Sequence, residues 1–185
     1  MATKTKLTYE EYETFPDDGN RYEIIDGEIV VSPSPFEPHQ VAVGEIATAL
    51  NIHMRARKLG RVYTAPFEIV LGPHDVFQPD VLYIARERLS IVDARGRVRG
   101  APDLCVEVLS ASTRNVDRIV KFQQYARFSI AEYWIVDTDL RTVEVYALEN
   151  GAYILVVNAH GQDRVVSRSL PTLALQAFEV FTPPV

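Results

Sequence analysis

One short segment does most to limit what this chain can become: Leu104-Cys105-Val106-Glu107-Val108-Leu109. Its apolar and β-branched run reads as a strand buried on both faces, yet it carries an acid. A lone carboxylate in such surroundings is costly unless it is paired or bound to a metal. Side chains alternate along a strand, so Asp103, Cys105, Glu107 and Leu109 share one face. Two readings of Glu107 follow. Either it meets an arginine or emerges at the strand end, or it shares a cation with a second acid on a neighbouring strand.

The rest of the pattern encloses that strand. Thr8-Tyr9-Glu10-Glu11 has the form of a capping box and opens a short helix to about Phe15. Residues 21–25 and 28–31 flank Asp26-Gly27, a strong hairpin signal, and Pro33-Ser34-Pro35 ends the hairpin. From Pro38 to Leu59, Val41, Ile46, Ala49, Leu50 and Met54 recur at helical spacing, with Gly60 as the stop. The basic residues Arg55, Arg57 and Lys58 then complement the helix dipole. Strands follow at 61–65, 68–71 and 80–84, then a polar loop over 86–100 with one helical turn. Beyond the 104–109 strand, a helix over 115–128 turns Ile119, Phe122, Tyr125 and Ala126 inward. Strands at 132–136, 142–148 and 152–157 and an amphipathic tail complete the order. This is an α/β (α+β) arrangement, a mixed central β-sheet flanked by helices, expected as a single domain over 1–185.

Composition removes several function classes. Hydrophobic residues make up 47% and aromatics 10%, too many for a disordered chain. No apolar run reaches the roughly 18 residues of a membrane span, and Met1 to Glu10 lacks a signal-peptide core. A cytoplasmic location without membrane contact is expected. The one cysteine, Cys105, forms no internal disulfide, and no Cys/His cluster has zinc spacing. Because no His stands in a partner motif, a Ser or Cys hydrolase is a poor reading. The net charge of −6 argues against a polyanionic partner, but residues 51–130 hold 13 Arg/Lys against 8 Asp/Glu. Such a basic middle can meet a phosphate backbone, with binding that is weak and salt-sensitive.

A second acid stands in Gln78-Pro79-Asp80, opening an apolar strand. By itself it reads equally as a turn former. On a strand next to Glu107 it could share a hard divalent cation, with a backbone carbonyl and waters completing the oxygen ligands. Asp117, Lys121 and Tyr125 lie at i, i+4 and i+8 on one helical stripe. Lys121 is one of four lysines among fifteen arginines. It serves either as the ion-pair partner of Asp117 or as a compact cation beside a reacting phosphate. His39 reads as a surface cap, while Tyr22, Tyr133 and Trp134 read as packing residues.

Four segments, 21–28, 78–80, 100–110 and 132–137, together resemble the Uma-two family of bacterial proteins with the restriction-endonuclease-like PD-(D/E)xK fold. The resemblance runs from about Leu7 to Leu148. It implies a metal-dependent endonuclease acting on DNA, with Pro79-Asp80 as the Pro-Asp of the signature and Glu107 as its second acid. Leu109 stands where the signature lysine is usual, and the resemblance puts that lysine at Lys121 on the following helix. Glu23 would be the upstream acid. Asp80, Glu107 and the carbonyl of Val108 would hold Mg²⁺, with Mn²⁺ as a substitute, while Gln124 would add a hydrogen bond. Ser129-Ile130 replaces a usual Gly-Val turn. Analogy with nucleases of this size suggests a homodimer. The alternative is a catalytically silent nuclease-like scaffold that binds DNA or another protein.

Overall fold

A computed structural model describes residues 5–34 and 36–182; Pro35 and the first four residues lie outside the described residues. The Thr8 capping box forms as expected: the Thr8 side chain accepts from Glu11 N at 3.3 Å, and Glu11 accepts from Thr8 N at 2.8 Å. It starts α1 (Tyr9–Tyr12). The hairpin β1 (Arg21–Ile25) and β2 (Glu28–Ser32) closes with Ile25 opposite Glu28. Asp26 and Gly27 both take positive φ, 52° and 79°, as a two-residue type I′ turn demands.

Helix α2 (Glu37–Arg57) follows, then β3 (Gly60–Thr64), β4 (Ile69–Gly72), β5 (Asp75–Phe77) and β6 (Val81–Ala85). A 3₁₀ turn over Arg86–Ile91 leads to β7 (Val98–Arg99) and β8 (Leu104–Val108). Helix α3 begins as a π-helical turn, Val116–Lys121, and continues as α-helix, Phe122–Arg127. The chain ends with β9 (Glu132–Asp137), β10 (Thr142–Glu149), β11 (Ala152–His160) and α4 (Ala177–Val180).

The strands divide into two sheets instead of the one central sheet expected. One has the order β2-β1-β5-β4-β7, the other β11-β10-β9-β8-β6-β3. Strands β8 and β9 run parallel with α3 as their crossover, whereas β6 pairs antiparallel with β8. Alternation along β6 and β8 serves two cores. Val81, Tyr83, Leu104, Val106 and Val108 pack with Ala42, Ile46, Leu50 and Met54 of α2. Leu82, Ile84, Cys105 and Leu109 face the other way, toward Tyr125 of α3 and Ile25, Ile69 and Phe77 of the first sheet. The tail is amphipathic as read: Val165, Leu170, Leu173 and Leu175 extend the α2 core.

Two local expectations need correction. Helix α2 stops at Arg57 because Lys58 takes the left-handed conformation at φ 57°; Gly60 instead begins β3, where a Cβ would collide with the Ile84 carbonyl. On α3, Ile119 is 56% exposed. The stripe that turns inward is Asp117, Lys121 and Tyr125, all buried. Tyr125 and Phe122 face inward as read and pack in the second core, while the buried Asp117 and Lys121 take the place on that face that Ile119 does not.

Candidate active site

Glu23, Lys121 and Glu107 meet in the layer between the sheets. The Lys121 ammonium lies 2.9 Å from Glu107 Oε1, 3.0 Å from Glu23 Oε2 and 3.4 Å from Asp117 Oδ1. All four side chains are at most 2% exposed. Each reaches this point for a local reason. Glu23 is on the β1 face that looks inward, Glu107 follows the alternation of β8, and the π turn carries both Asp117 and Lys121. Such wide turns are frequent at functional sites. Tyr125 donates to Glu107 Oε1 at 2.7 Å, and Gln78 N donates to Glu23 Oε1 at 2.8 Å.

Asp80 sits one step outside β6. Val81 opposes Val106, so extending that register sets Asp80 opposite Glu107. Its carboxylate is held from three sides. Arg21 Nη1 lies 2.6 Å from Oδ1, while Val108 N at 2.8 Å and His39 Nε2 at 3.2 Å approach Oδ2. Thus the contact Val108 makes with Asp80 is through its N–H.

Burial sets the electrostatics. Desolvation alone would raise the Asp80 carboxyl, but hydrogen bonding from His39 and the Arg21 charge outweigh it and hold the group down to about 2. Burial pushes Glu107 well above the ordinary glutamate range, which Lys121 only partly offsets, with Asp117, Asp80 and Glu23 adding repulsion. For Lys121 burial favours the neutral amine, yet the surrounding carboxylates win and keep it protonated. Four buried acids, Glu23, Asp80, Glu107 and Asp117, thus share this layer with Lys121, Arg21 and the His39 imidazole, and Glu107 and Asp117 are both pushed up by burial and by neighbouring carboxylates.

That crowding of carboxyl groups in one buried layer is what fits a hard dication. All the acidic donors are oxygens, as Mg²⁺ requires, and Mg²⁺ commonly uses only one or two protein carboxylates. His39 Nδ1 and Gln78 Oε1 are buried without a hydrogen-bond partner, and Glu23 Oε2 has the Lys121 ammonium at 3.0 Å. Among the described residues no group of three or more His, Cys, Asp or Glu side chains is arranged to hold a metal ion, so a cation here would rest on the carboxylate pair, backbone and water.

The site opens into a cleft of about 950 Å³ whose lining includes Asp80, Arg21, His39, Gln78, Ser110 and Thr113. Glu107 and Lys121 lie behind its wall. His39 is therefore a buried partner of Asp80 and not a surface cap. Gln124 belongs elsewhere: it lines a small depression beside Asp26 and Gly27. Arg21 and Gln78 were missed in the sequence. Arg21 left one signal, since it stands two residues before Glu23 and shares its strand face.

A family model described as "Putative restriction endonuclease", Uma2, matches residues 9–177. The chain belongs to the Uma2 family. Its fold is similar to the crystal structure of a putative nuclease of the DUF820 family from Anabaena variabilis, with a TM-score of 0.78. The two share 20% sequence identity, over 95% of this chain and 97% of the other. No curated protein matches the chain. The fold is thus restriction-endonuclease-like, as the sequence segments implied, and Uma2 membership makes nuclease chemistry the activity to test at this site. No helix among the described residues is long and apolar enough to cross a membrane.

Proposed function

We propose that the chain is a metal-dependent endonuclease that hydrolyses phosphodiester bonds in DNA. The observation that carries this reading is the convergence of Glu23, Glu107 and Lys121 within 3.0 Å contacts, with Asp80 opposite Glu107. Asp80, Glu107 and the Val108 carbonyl would hold Mg²⁺ or Mn²⁺. Such an ion, when bound, lowers the pKa of a water ligand and polarises the scissile phosphate.

The chain's own residues supply the rest. Lys121 spaces Glu23 from Glu107 and brings positive charge to the place where a phosphorane gathers negative charge. Gln78 fixes Glu23 by its backbone N–H, and Tyr125 fixes Glu107 by its hydroxyl. Glu23 Oε2, held 3.0 Å from the Lys121 ammonium, keeps a further lone pair that would accept from the attacking water. The cleft lining of Ser110 and Thr113 hydroxyls offers donors to a strand's phosphates. The net charge of −6 makes that binding weak and salt-sensitive, and pairing of two copies would allow both strands to be cut. We place the protein in the cytoplasm.

One observation favours the alternative of a silent scaffold: Asp80 is already engaged by Arg21 and His39. A cleavage assay on plasmid and single-stranded DNA separates the two. The nuclease reading expects cutting with Mg²⁺ or Mn²⁺, none in EDTA, and none by Glu107→Ala. Full activity of Glu107→Ala rejects the site, and folded wild-type protein that cuts nothing with either metal favours the scaffold.

A further inference from the structure

Asp80 and Arg21 are unequal partners. The Asp80 side chain is 3% exposed and is held by Val108 N and His39 besides Arg21. Arg21 is 21% exposed, lines the cleft, and joins Asp80 through one nitrogen, Nη1, instead of a two-pronged fork. The carboxylate is fixed while the guanidinium has open space beside it. The oxygen that Arg21 occupies, Oδ1, is the one that Val108 and His39 leave alone. A lone pair used by a guanidinium is withdrawn from a cation, and the fixed positive charge repels a dication that approaches.

We propose that Arg21 is a stand-in cation: it fills the metal seat on Asp80 in the metal-free protein and swings into the cleft when a divalent cation binds. Arg21 is then a positioning residue that weakens metal affinity while keeping Asp80 ordered and its charge compensated. This rests on the metal-dependent reading given above.

The test is Mn²⁺ binding by titration calorimetry, without DNA, to the wild type, Arg21→Gln and Arg21→Lys. Arg21→Gln removes the competing charge and is expected to bind Mn²⁺ at least about tenfold more tightly than the wild type. Arg21→Lys keeps a cation but makes a weaker, more hydrated contact, so it should fall between the two. An unchanged or weaker affinity in folded Arg21→Gln overturns the proposal, because it would mean that Arg21 only organises Asp80. Should Arg21→Gln fail to fold, Arg21→Lys decides: tighter binding than wild type supports the proposal, and equal or weaker binding rejects it. Absence of Mn²⁺ binding in all folded forms, wild type included, rejects the metal reading and this inference together.

Discussion

The Lys121 ammonium lies 2.9 Å from Glu107, fourteen residues earlier in the chain, and both side chains are 1% exposed. Removing one member of a buried ion pair leaves its partner uncompensated in a medium that solvates it poorly. Here the loss would strand Glu107, Glu23 and Asp117 together. Lys121→Met, which keeps the length and much of the packing, is expected to cost about 3–5 kcal/mol of stability. It should also abolish cleavage. Chemical denaturation at pH 7 measures the first effect, and a loss below about 1 kcal/mol would contradict the paired geometry.

Acid should weaken a second cluster. Arg118 holds Glu144 with two nitrogens at 2.9 and 3.0 Å, and Tyr146 donates to it at 2.6 Å. Burial alone would raise the Glu144 carboxyl, but these bonds prevail and lower it from the ordinary 4.5. A group lowered on folding stabilises the fold above its unfolded pKa, and that contribution disappears as pH falls through the folded value. The stability gap between wild type and Glu144→Gln is therefore expected to shrink from pH 7 to pH 3. A gap that stays constant or widens contradicts the assignment.

The end of α3 offers a gain. Ser129 N bonds to Ala126 O and Ile130 N to Tyr125 O, both at 3.0 Å, the two bonds of a Schellman motif. Ser129 sits at the left-handed position of that motif with φ 61° and is exposed. A side chain there costs energy that glycine avoids. Ser129→Gly is expected to raise stability by up to about 1 kcal/mol, read as a higher Tm. A lower Tm would show that the turn is held by other contacts.

The features legible in the sequence are those coded by a few adjacent residues. Asp26-Gly27 specified a type I′ turn because both positions need positive φ, and Thr8 with Glu11 specified a cap. The alternation of β8 placed Glu107 on the face that meets α3, and the stripe of Asp117, Lys121 and Tyr125 was visible as spacing. What tertiary packing decides was not legible. The division into two sheets depends on β5 and β7, with three and two residues, too short to show a period. The rotation of α3 was misread at Ile119, because a buried acid and lysine outweigh one isoleucine. His39 was misread as well, since its partner Asp80 is forty-one residues away and only the docking of α2 on the sheet end joins them.

The most direct measurement is anomalous scattering from crystals soaked in millimolar Mn²⁺. The account predicts one ion between Asp80 and Glu107, at about 2.2 Å from a carboxylate oxygen of each. A map with no ion there at full soaking, or an ion bound elsewhere with the carboxylate pair empty, would contradict it.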